Sequence, residues 1–129
     1  MFVVDSSVWI EFFAARWGRE SLLLRDAINR VNRVRLCGPI LQEVLQGIRD
    51  EAAFQREWRN LLRFGLLEVT WWTWLRAASL YRFLRRKGFT INSFDTTIAS
   101  VCLENYLPLL TCNRRDFEPL ARHAGLKLA

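Results

Sequence analysis

The chain has one histidine, His123, and three cysteines, Cys37, Cys102 and Cys112, with no C-x-x-C spacing. That scarcity argues against a zinc site and against a disulfide framework; free thiols in a reducing cytoplasm are the simplest reading. No apolar run approaches the roughly 20 residues that cross a bilayer. The start, Met1-Phe2-Val3-Val4-Asp5, lacks the basic n-region of a cleavable signal. Repeats, low-complexity stretches and long linkers are also missing. The 129 residues therefore suit one domain spanning residues 1–129. Hydrophobic residues make up 51%, enough for a real core.

What the sequence does have is basic charge: 19 Lys and Arg against 13 Asp and Glu, net +6. Several acids nevertheless sit inside apolar surroundings. Asp5 closes Met1-Phe2-Val3-Val4 and precedes Ser6-Ser7-Val8-Trp9-Ile10. Glu43 lies within Pro39-Ile40-Leu41-Gln42-Glu43-Val44-Leu45. Asp95 lies within Ser93-Phe94-Asp95-Thr96-Thr97-Ile98-Ala99, and Asp116 follows Leu109-Leu110-Thr111-Cys112-Asn113-Arg114-Arg115. Acids in apolar settings are costly unless compensated, and a divalent metal is the usual compensation. An anionic hole on a cationic surface suits a polyanion whose phosphates meet a metal.

Strand and helix patterns alternate, which predicts a parallel sheet with helices on both faces. Strands are expected at 2–5, 34–37, 66–69 and 108–111, with a further edge strand at 126–128. Ser6 or Ser7 would cap a helix to about Ala15. Leu22, Leu23, Leu24, Ala27, Ile28 and Val31 pattern a helix over 20–32. Gly38-Pro39 opens another. Further helices are expected at 52–63, ended by Gly65, then at 72–87, ended by Gly88, and at 93–105 and 115–123. Ligands of such sheets sit beyond the carboxyl ends of the strands. Asp5 and Asp116 fall there, and Glu43 and Asp95 are expected in first turns of helices beside them.

Crowded carboxylates repel by roughly 4 kcal/mol per pair at 4 Å and an effective dielectric of 20. A hard cation such as Mg²⁺ reverses that penalty. It takes oxygen ligands, often one or two carboxylates with waters and substrate phosphate. A water on such an ion loses its proton more easily and can attack a phosphodiester, with no histidine or serine nucleophile. Taken singly, Asp95 also fits a plain helix-start acid and Glu43 a solvated helix position.

The four segments resemble the motifs of PIN-domain ribonucleases, in particular VapC toxins of type II toxin–antitoxin pairs. Val3-Val4-Asp5-Ser6-Ser7-Val8-Trp9-Ile10 resembles the first motif and Ile40–Ile48 the second. Phe94–Ala99 resembles the third and Leu109–Phe117 the fourth. The resemblance implies a three-layer α/β/α, Rossmann-like PIN domain with a mostly parallel sheet of 4–5 strands. It implies that Asp5, Glu43, Asp95 and Asp116 bind Mg²⁺ or Mn²⁺ for endoribonucleolytic cleavage, a hydrolase activity. By the same resemblance Ser6 orders the site, and Asn113 stands beside the fourth acid, at a position that is acidic in many relatives. The implied partners are an RNA substrate, a VapB-type antitoxin that brings promoter DNA, and a second copy in a homodimer. A PIN fold that binds RNA or protein without cleaving is the alternative. A phosphoacceptor signalling domain fits less well, because it wants paired acids after the first strand and a late lysine.

Arg114 and Arg115 are candidates for substrate phosphate, as are Arg85 and Arg86 within the basic run Arg82, Arg85, Arg86 and Lys87. The bland account of that run is a favourable interaction with the helix dipole. Trp71-Trp72-Thr73-Trp74 is expected to pack or to form a groove for a partner helix. Cys112 is expected as a buried thiol and His123 as a surface helix-end residue.

Overall fold

The computed structural model describes residues 1–30 and 32–129. Val3, Val4, Leu109 and Leu110 are fully buried, on two adjacent strands of one sheet. Strand β1 (Phe2–Val4) is flanked by β2 (Val34–Arg35) and β3 (Leu109–Leu110), in the order β2-β1-β3, all parallel. Such strands need long crossovers, and helices supply them. They are α1 (Ser6–Phe13), α2 (Arg19–Ala27), α3 (Gly38–Gln46), α4 (Glu51–Leu62), α5 (Trp71–Arg86), α6 (Ser93–Glu104) and α7 (Arg114–Ala124). The parallel sheet flanked by helices is the expected fold class.

The sheet is shorter than expected. In place of strands at 66–69 and 126–128, the described residues show single parallel bridges, Cys37 to Leu67 and Leu109 to Leu128. They prolong the sheet at its two edges, where one residue of pairing is enough to anchor the chain. Helix α2 stops at Ala27 rather than reaching residue 32. Turns follow it, and Asn32 takes φ 65°, a left-handed conformation that asparagine tolerates. Val31, placed on that helix by its pattern, lies outside the described residues. Gly65 and Gly88, at φ 65° and 92°, follow α4 and α5 as the sequence suggests.

Helix α6 matters most for the site. Seven successive residues, Thr96 to Cys102, are buried, so it runs through the core rather than along the surface. Its hydroxyls are satisfied locally: Thr96 and Thr97 donate to the Ser93 carbonyl and Ser100 to that of Thr96. The Asn92 side chain caps its start, accepting from the Phe94 N–H at 2.8 Å. Asn92→Ala is therefore expected to cost about 1 kcal/mol in denaturant unfolding.

Candidate active site

Parallel register brings the ends of β1 and β3 together. Val4 pairs with Leu110, so the next residues, Asp5 and Thr111, are neighbours although 106 positions apart. Asp5 continues the ladder, its N–H donating to the Leu110 carbonyl at 2.9 Å. Its side chain is 3% exposed. Two hydroxyls donate to its Oδ2, from Ser7 and Thr111, each at 2.8 Å. Each hydroxyl also accepts a backbone N–H from the β3–α7 loop: Ser7 from Cys112 at 3.0 Å, Thr111 from Asn113 at 2.9 Å. Both hydroxyl protons are thus committed to the carboxylate, and the loop leading to Asp116 is tied to Asp5.

The other three acids come from helix starts or turns around this point. Asp95 is the third residue of α6 and Asp116 the third of α7. Glu43 is the sixth residue of α3, in its second turn rather than the expected first. Asp95 feels the charges of the other three, and Glu43 feels that of Asp5. Burial, then Asp5, Glu43 and Asp116, push the Asp95 carboxyl up from the ordinary 3.8 to about 7. Burial and then Asp5 push Glu43 up. Cys37, just before α3, is raised to about 12, mostly by burial and further by Asp5 and Glu43.

None of the four acids makes an ion pair among the described residues. Glu43 Oε1 is buried without a hydrogen-bond partner. An orphaned carboxylate oxygen among mutually repelling acids, with no cation from the chain, fits a hard divalent ion. As the side chains stand, no three His, Cys, Asp or Glu among the described residues converge closely enough to grip an ion together. That does not conflict with Mg²⁺, which is commonly held by one or two carboxylates and completes its shell with water.

The raised Asp95 has a consequence for the metal-free protein. Its unfolded form releases a proton near pH 4 and its folded form near pH 7. Between those values the unfolded state binds fewer protons, so Asp95's contribution to stability falls as pH rises and is fully lost above about 7. Chemical unfolding of metal-free wild type and Asp95→Asn at several pH values checks this. The variant should be the more stable at pH 8, with the difference vanishing toward pH 4.

Residues 2–123 match the PIN domain family. The chain belongs to that family. It is 27% identical over 131 residues to Ribonuclease VapC11 of Mycobacterium tuberculosis, covering 100% of this chain and 98% of the relative. The structure of VapBC-1 from nontypeable Haemophilus influenzae contains a similar fold, with TM-score 0.78 at 16% identity, covering 99% of this chain and 96% of the other. VapBC2 from Rickettsia felis, bound to a fragment of its promoter DNA, gives the same TM-score, identity and coverage.

In this PIN domain the hydroxyls that order Asp5 belong to Ser7 and Thr111, and Ser6 makes no side-chain hydrogen bond among the described residues. A signal for both was present: Ser7 stands two residues past Asp5, and Thr111 is its register neighbour. Neither serine side chain caps α1; Asp5 itself is the cap residue, without a side-chain capping bond. Asn113 caps α7 in position only, its side chain making no capping bond. Cys112 is exposed rather than buried, because the loop turns outward after Thr111.

Of the two arginines beside Asp116, Arg114 donates to the Ala129 carbonyl at 2.8 Å, while Arg115 is exposed and makes no ion pair among the described residues. Arg85 and Arg86 are exposed at the end of α5, Arg85 lying 5.6 Å from the centre of the Tyr81 ring. Packing within the chain does not account for Trp71, Trp72 and Trp74, which are 75%, 72% and 54% exposed; Thr73 is the buried residue of that segment. Trp9 does pack, tilted against Phe13 and Phe64. His123 is half-buried, its ring 5.3 Å from that of Phe89.

Proposed function

We propose that this PIN domain is a divalent-metal-dependent endoribonuclease of the VapC type, inhibited by a VapB-type antitoxin. The observation that carries the proposal is the Asp95 carboxyl, raised by burial and by Asp5, Glu43 and Asp116 together, with none of the four acids paired with a cation among the described residues. Asp5, Glu43 and Asp95 would hold Mg²⁺ or Mn²⁺, with Asp116 and Asn113 completing the site. When bound, the ion supplies a water of lowered pKa and stabilises charge developing at phosphorus and on the leaving oxygen.

The chain's own residues do the rest. The Ser7 and Thr111 hydroxyls hold Asp5 in one orientation through Oδ2, leaving Oδ1 without a hydroxyl donor. The buried α6 fixes Asp95 against displacement. Arg115, with Arg114, Arg85 and Arg86 farther out, would meet substrate phosphates. The strongly basic balance supports a polyanionic substrate.

The names of the neighbours, VapBC complexes of which one is bound to promoter DNA, support a VapB-type antitoxin as partner; DNA contact through that antitoxin and a homodimer belong to the same proposal. The exposed Trp71, Trp72 and Trp74 suit a partner helix. No helix among the described residues is long and apolar enough to cross a membrane, and a cytoplasmic location belongs to the same proposal. The alternative, a PIN-fold binding module without cleavage, is opposed by the presence of all four acids. To decide, purified protein stripped of antitoxin is incubated with RNA in Mg²⁺ and then in EDTA. Cleavage should occur only with the metal; activity that persists in EDTA would refute the metal mechanism, and none on any RNA would favour the binding module.

A further inference from the structure

A groove of about 390 Å³ runs along α7 beside the acidic site, lined by Phe89, Arg115, Glu118, Pro119, Arg122 and His123. Arg115, Pro119 and His123 are spaced four residues apart and stack along one side of the helix. Asp116 shares a face with Pro119 and His123, at spacings of three and seven. At 1.5 Å per residue His123 lies roughly 10 Å along the axis from Asp116, the reach of a nucleotide or two. The opposite wall is Phe89, in the segment between α5 and α6 that leads to Asp95. Arg115, adjacent to Asp116 in the first turn of α7, therefore sets one end of the groove beside one of the four acids.

Its chemistry has a flat part and a charged part. The Phe89 and His123 rings are 5.3 Å apart and tilted by 40°, forming a half-buried aromatic pair. Glu118 is paired with Arg122 at 2.8 Å, so those charges offset each other. Arg115, at the end nearest Asp116, is left as the cation available to a ligand. An aromatic surface preceded by a cation, continuous with a site for a phosphodiester, matches single-stranded nucleic acid: phosphate on the arginine, base against the rings. An acidic protein segment would use Arg115 but gains nothing comparable from the aromatic pair.

We infer that this groove is the subsite for RNA flanking the scissile phosphate, with Arg115 binding a phosphate and the Phe89–His123 pair stacking a base. The inference rests on the nuclease reading above and adds to it the residues that position the strand. Its test is binding of a labelled single-stranded RNA oligomer to protein carrying Asp5→Asn, which removes cleavage. Adding His123→Ala should weaken binding about 10-fold, and His123→Phe, which keeps a ring, should restore it. Adding Arg115→Ala should weaken binding and lower the slope of log affinity against log salt by about 1. In otherwise wild-type protein, His123→Ala should raise KM while kcat holds. Phe89→Ala serves as a further variant if its melting profile stays intact.

Unchanged RNA affinity in both His123→Ala and Arg115→Ala would overturn the inference. So would variants that lose an acidic protein partner yet keep RNA. Wild-type cleavage with no effect of His123→Ala would sink this subsite alone, whereas absence of wild-type cleavage on every RNA would sink the nuclease reading itself.

Discussion

Asp5→Asn is expected to lower RNA cleavage by about 1,000-fold or more, a loss of several kcal/mol of transition-state stabilisation. Asparagine fills the same space, so the core around Val4 and Val8 has no reason to collapse. What it removes is the charge at the centre of the acidic set. Asp5 is the only one of the four that perturbs Glu43, and it stands first among the charges that raise Asp95. The variant should therefore also bring Glu43 and Asp95 back toward ordinary carboxyl values. Single-turnover cleavage measured beside thermal melting separates the two effects: activity should vanish while the fold persists. An Asp5→Asn protein that folds and cleaves at the wild-type rate would mean the chemistry lies elsewhere.

Thr111→Val should give the second-largest effect. Valine keeps the shape of threonine but cannot donate to Asp5 or accept from Asn113. Asp5 Oδ2 then keeps only the Ser7 hydroxyl, and the Asn113 N–H loses its acceptor. Supporting groups behind metal ligands are typically worth 10–100-fold in metal affinity or activity, and a loss of about that size is expected. The unpaired buried groups should also cost about 1–3 kcal/mol of stability. Ser7→Ala should act in the same direction, and Ser6→Ala should do little. The comparison of the two serines is the sharpest part of the experiment. A site that depended on Ser6 and ignored Ser7 would contradict the hydrogen-bond pattern.

That contrast also marks how far the sequence could be read. Asp5 was legible because an acid at the end of a short buried strand has few other reasons to be there. The alternation of strands and helices pointed to a parallel sheet, and parallel order pointed to the strand ends. Which serine supports Asp5 was not legible. It depends on the register between β1 and β3, two segments separated by most of the chain, and on the outward turn at Cys112. Local pattern suggested a capping role for either serine, but the Ser7 oxygen accepts instead from the Cys112 N–H while its proton goes to Asp5, and the Ser6 side chain makes no hydrogen bond among the described residues.

The edge strands failed for a related reason. Leu66-Leu67-Glu68-Val69 and Leu126-Lys127-Leu128 have strand-like composition, yet each adds only one bridge to its neighbour. Edge pairing is decided by the length of the adjoining strand, and β2 and β3 have two residues each. Glu43 was placed a turn too early although the expected start at Gly38-Pro39 already puts it in the second turn, where it is found. The tryptophans at 71, 72 and 74 are the clearest departure. Aromatic clusters usually pack inward, but residues on the buried side of α5 are Thr73, Ala77 and Leu84, which leaves the three rings outside.

The central claim is that Asp5, Glu43, Asp95 and Asp116 form one metal site. Titration of Mn²⁺ into purified, antitoxin-free protein, followed by calorimetry near pH 6, addresses it directly. Wild type should bind the ion saturably, with release of protons as Asp95 ionises around its raised pKa of about 7, and Asp5→Asn should lose that binding. Wild type that fails to bind Mn²⁺, or Asp5→Asn that binds it equally well, would contradict the account.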